Sequence, residues 1–371
     1  MAMLLTKKSA EEYLKKKKYK KLNYLGKGAF NMVFKGESPA GDEVAIKLIS
    51  DTDPRSMDRE VKATKDIQQL KRTDPDKAYK NFSEELADAV KNNASYRKYI
   101  INPILKVEDN REISKDLIEK LIDDEKSNGR KKQLKEWSKQ QQEEGKEPFK
   151  AKTYVFEAKL LKDDLEKFEG PKDSKTLFPL VRKVSKGICK TLKVLHDKNT
   201  VHLDVKSDNV FSSNGKTVLP KFKLGDYGTA INDKTDYDLS TNGGWLLKLV
   251  PGFPSDYKVN KPSIEELKKV DIYCMGRTIL EFFARRYNEK ETGNQNTGPF
   301  SLPKGKSYDK NEFKTAKNTF KKLMDEDKIG KENLQAAKDF WELIVNTTCD
   351  NPSKRWTVDQ VLSCNFCRKQ K

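Results

Sequence analysis

The stretch His202-Leu203-Asp204-Val205-Lys206-Ser207-Asp208-Asn209 decides the fold of this chain. It holds an acid, a lysine two residues later and an amide three residues after that. The apolar residues Val201 and Val210 flank it, which indicates a turn set between buried segments. A single turn with this spacing can direct a base, a positive charge and a metal ligand toward one point.

A second acidic turn, Leu224-Gly225-Asp226-Tyr227-Gly228, follows further along the chain. Short Asp/Asn motifs arise often by chance, so neither turn is specific alone. Together and in this order they resemble the catalytic loop and the Mg²⁺-binding turn of eukaryotic-type protein kinases. The resemblance is to a divergent Ser/Thr-like member with insertions, and it extends over residues 19–367.

The composition indicates a polar protein with a substantial core. Of 371 residues, 35% are hydrophobic and 36% are charged, and the 17 Phe and 13 Tyr argue against disorder. No apolar run approaches the roughly 18 residues that span a bilayer. Five Cys without a disulfide framework fit a reducing compartment. We therefore expect a cytoplasmic protein; its insertions would also suit an effector in a host cytosol.

The net charge of +18 raises the question of a nucleic-acid partner. Outside the Lys-rich first 25 residues, Lys interleaves with Asp and Glu as on a solvated surface, so the sequence makes no strong case for a nucleic-acid partner. Ser9-Ala10-Glu11-Glu12 has the form of a capping box and predicts a short basic helix over residues 9–18. Its few apolar side chains favour a solvated leader over contact with an anionic membrane.

A glycine turn and a strand lysine predict a polyphosphate site. Residues 26–31, Gly-Lys-Gly-Ala-Phe-Asn, join two strands, and glycines let backbone N–H groups approach phosphates closely. Asn31 replaces the family's third glycine and stiffens this loop. In Val44-Ala45-Ile46-Lys47 the lysine points away from the Ile46 face, and the resemblance gives it the α- and β-phosphates of ATP.

The resemblance implies further nucleotide contacts. Phe156 falls at the gatekeeper position, and residues 157–159 fall at the hinge whose backbone would bind adenine. The residues expected at ATP are Leu25, Gly26, Gly28, Phe30, Val33, Ala45, Lys47, Phe156, Glu157, Ala158 and Asp226.

Lys47 needs a carboxylate partner from a following helix. Residues 56–70 can form that helix, and Arg59-Glu60-Val61 resembles the family's helix C, so Glu60 is the first choice. A second helical segment, residues 81–94, keeps Glu85 as the alternative.

The resemblance also implies the catalytic roles. Asp204 would accept the hydroxyl proton, Lys206 would contact the γ-phosphate and favour Ser/Thr, and Asn209 with Asp226 would hold Mg²⁺. The family's Arg before the catalytic Asp is Leu203 here. We therefore expect activity that does not require phosphorylation between residues 229 and 258.

Several C-terminal features match the family. His202 would brace the metal-binding turn, and Asp271 would tether the catalytic-loop backbone. Arg355 lacks its usual Glu partner, for which Asp256 is the substitute. Residues 210–219 predict a hairpin around Asn214-Gly215. Cys364-Asn365-Phe366-Cys367 has zinc-knuckle spacing without a second ligand pair, which favours packing.

The resemblance implies an α+β, bilobal protein-kinase-like fold. A basic leader (1–18) precedes a small antiparallel-sheet N-lobe (19–158) and a mainly helical C-lobe (159–371). The N-lobe carries an insertion at 110–150, expected as a solvated excursion, with a partner-docking helix as the alternative. The C-lobe carries an insertion of loop and helix at 288–334.

The implied function is ATP-dependent phosphorylation of Ser/Thr hydroxyls on a protein substrate. A pseudokinase, acting as a nucleotide-binding scaffold, remains an alternative because of Asn31 and the unusual docking segment at 229–262. A small-molecule kinase of related fold is the other alternative, against which Lys206, Asp271 and Arg355 argue.

Overall fold

The structure is a computed structural model, and its described residues form two compact units, one ending at Leu160 and one beginning at Leu161. The first is built on an antiparallel sheet and the second is mainly helical, which confirms the predicted α+β fold class. Within the described part of the chain, no helix is both long and apolar enough to cross a bilayer. The described residues are 5–27, 31–51, 104–124, 128–143, 149–168, 174–213, 220–226, 230–232, 250–251, 262–296, 298–300, 310–326 and 328–368.

The first unit contains, among its described residues, one five-stranded antiparallel sheet of order β1-β2-β3-β5-β4. Burial alternates along β3, because Ile46 and Leu48 are fully buried on one face while Lys47 between them is half-buried. The strands are β1 (Lys20–Lys27), β2 (Asn31–Glu37), β3 (Glu43–Asp51), β4 (Ile104–Ile113) and β5 (Phe149–Lys159).

The N-terminal helix α1 (Lys7–Lys16) is part of this unit and not a solvated leader. Its N-cap is Thr6, whose side chain exchanges hydrogen bonds with Ser9, so the capping box begins three residues before the predicted one. Leu14 is fully buried in one apolar cluster with sheet residues that include Phe34 and Ile46. The expectation of a solvated leader is therefore wrong, because an apolar stripe of the helix covers the Ile46 face of the sheet.

The insertion between β4 and β5 forms two helices, α2 (Lys115–Asp124) and α3 (Asn128–Glu143), that pack on each other. The strands continue into the expected insertion, since β4 runs to Ile113, which pairs with Phe149 at the start of β5. On α2 the side chains of Ile118, Leu121 and Ile122 are buried. A solvated excursion is therefore the wrong description, because this apolar face is covered.

The second unit is built around aromatic packing between its helices. Phe283 on α5 is fully buried, with the ring centroids of Phe320 and Phe340 at 5.1 and 5.2 Å. Phe300 and Phe320 belong to the predicted 288–334 insertion, so this segment completes the core. The helices are α4 (Ser174–His196), α5 (Ile264–Thr292), α6 (Lys310–Asp325), α7 (Leu334–Thr347) and α8 (Val358–Ser363).

Local signals set the ends of α5. Ser263 and Glu266 form a capping box, with the Ser263 side chain accepting the Glu266 N–H. The helix ends at Gly293, whose φ of +74° is a left-handed conformation that glycine adopts without strain.

Two short pairs of strands hold the loops of the second unit. β6 (Thr200–Val201) pairs with β9 (Ile231–Asn232), and β7 (Val210–Ser212) pairs with β8 (Phe222–Leu224). The partner of β7 is thus further along the chain than the predicted hairpin places it; residues 214–219 lie outside the described residues. Val210 is opposite Leu224, and this register brings the two acidic turns together.

Candidate active site

The loop between β6 and β7 is anchored by a buried carboxylate from α5. Asp271 accepts the backbone N–H groups of His202 and Leu203, both at 2.8 Å, and lies 2.9 Å from His196 Nε2. The predicted tethering role of Asp271 is therefore confirmed. Leu203 has a φ of +58°, a conformation that costs a β-carbon-bearing residue about 1–3 kcal/mol, so its bond to Asp271 holds a strained backbone in place.

His202 links this loop to the second acidic turn. Its Nδ1 accepts the N–H of Asp204 at 3.2 Å, so the ring proton resides on Nε2. Nε2 donates to the carbonyl of Gly225 at 3.0 Å, directly before Asp226. The predicted bracing role is confirmed, and both ring nitrogens take part in it.

Asp204 is buried, and its two carboxylate oxygens have different surroundings. Oδ2 accepts from Lys206 Nζ at 2.8 Å and from Asn209 Nδ2 at 2.9 Å. Oδ1 is buried and has no hydrogen-bond partner among the described residues. Burial raises the pKa of the Asp204 carboxyl, and the Lys206 ammonium opposes that rise. One anionic oxygen is thus held while the other remains to accept a proton.

Asn209 and Asp226 are brought together by the backbone. Gly225 N–H donates to the Asn209 carbonyl at 2.8 Å. The Asn209 Nδ2 group donates to the backbone and side chain of Asp204, which leaves its Oδ1 as an acceptor. Asp226 is exposed and has a φ of +62°, which Asp tolerates better than most residues.

This pair of oxygen donors fits Mg²⁺. The ion is a hard cation that takes oxygen ligands, commonly one or two from carboxylates and the rest from phosphates and water. Among the described residues, no group of three or more His, Cys, Asp or Glu side chains could hold a metal ion. One carboxylate and one amide oxygen suit an ion that arrives with phosphate oxygens.

In the first unit, the sheet register places predicted nucleotide residues on one face. Lys47 on β3 is opposite Val33 on β2 and Phe156 on β5. Directly opposed residues of antiparallel strands share a face, and the opposed pair Ala45 and Ala158 lies two residues along on that same face. The face is the one that α1 does not cover.

The remaining predicted residues divide into described and undescribed positions. Leu25 is 50% exposed, and Gly26 lies within β1, opposite Val33 on β2. Gly28, Phe30, Glu60, Glu85 and Asp256 lie outside the described residues.

Glu157 has partners that the sequence did not indicate. It is opposite Ile46 and therefore faces α1, and its buried carboxylate accepts from the Tyr19 hydroxyl at 2.7 Å and lies 3.4 Å from Lys106 Nζ. Burial and the Glu157 carboxylate raise the pKa of Tyr19. The contact joins residues 138 positions apart, and no local pattern marks such a pair.

Arg355 is held by main-chain carbonyls. Its guanidinium donates to the carbonyls of Cys349 at 2.6 Å, Asp350 at 3.2 Å and Pro251. It also lies over the Tyr273 ring, 4.9 Å from the centroid. These contacts hold the backbone at Pro251, which belongs to the predicted docking segment 229–262.

The sheet order of the first unit and the anchored loop of the second are those of the protein kinase class. A family model for the protein kinase domain matches residues 150–367, more than half of the chain. The chain belongs to this family.

Individual relatives match over shorter stretches. The chain is 36% identical over 94 residues to a Wee1-like protein kinase of Oryza sativa subsp. japonica, covering 25% of this chain and 16% of that protein. It is 31% identical over 112 residues to Kinase suppressor of Ras 2 of Mus musculus, covering 29% and 12%. It is 28% identical over 193 residues to Mitogen-activated protein kinase kinase kinase 5 of Arabidopsis thaliana, covering 51% and 22%. The alignments thus span less than a quarter of each of these relatives.

Proposed function

We propose that the chain is an active protein kinase that transfers the γ-phosphate of Mg·ATP to serine or threonine hydroxyls of protein substrates. The Asp204 carboxylate is the observation that supports this most. Its Oδ2 is held by Lys206 and Asn209, and its Oδ1 is buried without a partner among the described residues. An incoming hydroxyl would give this atom the hydrogen bond it lacks, and the held carboxylate would take the proton.

Lys206 would place a positive charge beside that hydroxyl. Its Nζ is 2.8 Å from Asp204, so a phosphate approaching the same hydroxyl would meet the ammonium. In the family, a lysine at this spacing accompanies Ser/Thr specificity, which supports that assignment here.

Asn209 and Asp226 would hold Mg²⁺ through the amide and carboxylate oxygens. When bound, the ion would neutralise phosphate charge. In the first unit, Lys47 would bind the α- and β-phosphates of ATP, with Glu60 as its proposed partner and Glu85 as the alternative. On that face the apolar residues Val33, Ala45, Phe156 and Ala158 lie around Lys47, which suits a purine base.

Product analysis tests this proposal. The purified chain is incubated with γ-labelled ATP, Mg²⁺ and a mixture of generic protein substrates, and the labelled amino acids are identified after acid hydrolysis. We expect label on phosphoserine and phosphothreonine that depends on Mg²⁺. Asp226→Ala should abolish the transfer and weaken Mg·ATP binding, whereas Asp325→Ala, the same substitution at an exposed acid of α6, should not.

Two results would contradict the proposal. ATP binding without any transfer would favour a nucleotide-binding scaffold, and label that appears only on small hydroxylated metabolites would favour a small-molecule kinase.

A further inference from the structure

A pair of cysteines lies in a tight turn at the end of α8, and neither is among the residues assigned to phosphate transfer. Cys364 is the C-cap of α8, and its carbonyl accepts the N–H groups of Cys367 at 3.1 Å and Arg368 at 2.9 Å. A turn of this kind brings its first and fourth α-carbons within about 7 Å. A disulfide spans α-carbons about 4.4–6.8 Å apart, so the backbone already holds the pair near bonding geometry.

The two sulfur atoms have different roles in this turn. The Cys364 sulfur accepts a hydrogen bond from the Cys367 thiol and further ones from the N–H groups of Cys367 and Phe366. These donors stabilise the thiolate and lower the pKa of Cys364 to about 7, against the effect of burial and of Glu342 on α7. Burial and the neighbouring sulfur raise the pKa of Cys367. Cys364 is thus the nucleophile and Cys367 the protonated neighbour.

The other side chains that face the pair come from α4. Lys186 lowers the pKa of Cys367, while Cys189 raises it. Cys189 is fully buried, and its thiol donates to the Val358 carbonyl at 3.4 Å. Among the described residues, no set of three or more His, Cys, Asp or Glu side chains could hold a metal ion. Cys364 and Cys367 thus form a pair of neighbouring thiols joined by a hydrogen bond.

We propose that Cys364 and Cys367 are an oxidation site, at which a peroxide converts the dithiol into an intramolecular disulfide. The Cys364 thiolate attacks a peroxide oxygen, the O–O bond breaks, and the leaving hydroxide is protonated to water. The Cys367 sulfur then attacks the sulfenic acid, the S–O bond breaks, a second water leaves, and the S–S bond forms. Two electrons pass from the dithiol to the peroxide.

The surrounding contacts allow the disulfide to form in the folded protein. Phe366 lies between the two cysteines, with its ring 5.1 Å from that of Phe340 and its carbonyl accepting Arg182 Nε at 2.7 Å. The turn is thus held by its own packing before any S–S bond forms. Cys364 is 9% exposed, whereas Cys367 is fully buried, so an oxidant reaches the nucleophile first.

Cys349 provides an internal control. It is more exposed than Cys364, yet no hydrogen bond joins it to another thiol among the described residues. If reactivity followed exposure alone, Cys349 would be oxidised first; if the dithiol governs it, the disulfide forms first.

The test is peptide mapping of the reduced, full-length protein after treatment with about one equivalent of hydrogen peroxide and alkylation of the remaining thiols. We expect a peptide with Cys364 linked to Cys367 and lacking two hydrogen atoms, while Cys349 remains alkylated. Cys367→Ser should stop the reaction at a sulfenic acid on Cys364 that dimedone traps. Cys349→Ser should leave disulfide formation unchanged.

A second measurement on the wild-type protein covers the case in which Cys367→Ser does not fold. The rate of iodoacetamide labelling at Cys364 should reach half its maximum near pH 7, as the pKa of that thiol dictates. Prior oxidation of Cys349, a bond between Cys364 and Cys189, or labelling of Cys364 that rises only above pH 8 would overturn the proposal.

Discussion

At the residue scale, Asp271 anchors the backbone that leads into Asp204. Its carboxylate accepts two backbone N–H groups and contacts His196, and it holds Leu203 at a positive φ. Because Asp204 directly follows Leu203, the bond from Leu203 to Asp271 also positions Asp204. The geometry of the loop therefore depends on one buried acid from α5.

Asp271→Asn should lower both stability and activity. The amide has only one acceptor oxygen, so at least one N–H of His202 or Leu203 is left unpaired, at a cost of roughly 1–3 kcal/mol. Urea unfolding and the rate of phosphoryl transfer measure the two effects. Asp325→Asn, at an exposed acid, serves as the control, and equal stability of the two variants would contradict the anchoring role.

Leu203 also leads to a prediction about control. It is fully buried and carries no donor, so a phosphate on the segment from 229 to 258 would find no partner at this position. Phosphatase-treated protein with Thr229→Ala, Ser240→Ala and Thr241→Ala should keep most of its initial rate. A loss of tenfold or more, with the fold intact by circular dichroism, would count against this expectation.

At the element scale, α1 is the helix whose packing against the sheet the sequence did not predict. Its apolar residues were too few to indicate a buried helix, and the residues that cover them come from β2, β3 and β5. Contacts between such distant segments have no periodic signal. The capping box was misplaced for a local reason, since Thr6 and Ser9 use hydroxyl groups for both bonds where Glu12 was expected.

Leu14→Ala should therefore destabilise the protein by about 2–5 kcal/mol, the usual cost of removing a buried leucine side chain. Lys15→Ala, at the next and exposed position, should change stability by less than about 0.5 kcal/mol. Denaturant unfolding of both variants measures the difference. If α1 were a solvated leader, both substitutions would change the free energy of unfolding by the same small amount.

At the scale of the whole molecule, the arrangement of the stretch that carries Asp204 was predictable because its contacts are local. Asp204, Lys206 and Asn209 are close in sequence, and their contacts form within one turn. The pairing of β7 with β8 was not predictable, because residues 213–221 separate the two strands and carry a stronger hairpin signal at Asn214-Gly215. The hydrogen bond from Tyr19 to Glu157 was not predicted because the two residues are 138 positions apart.

We expect the α2–α3 insertion to be separable from the sheet that carries it. Ile113 is opposite Phe149, so replacing residues 114–148 by Asn-Gly closes a two-residue hairpin in register. We expect this shortened protein to fold and to keep its basal transfer rate. In the control, Asn-Gly replaces residues 113–148, which shifts the β4–β5 pairing by one residue. Side chains that share a face of the sheet would then lie on opposite faces, so this variant should unfold. Loss of folding in the in-register variant would show that the helices support the sheet.

The central claim is that the Asp204 carboxylate takes part in phosphoryl transfer and not in nucleotide binding. The most direct test is the single-turnover rate of Asp204→Asn at saturating Mg·ATP, with the dissociation constant for Mg·ATP measured on the same preparation. We predict an unchanged dissociation constant and a rate lower by about 10²–10⁴, the usual contribution of a positioned acid–base group. A rate equal to that of the wild-type protein would contradict the account.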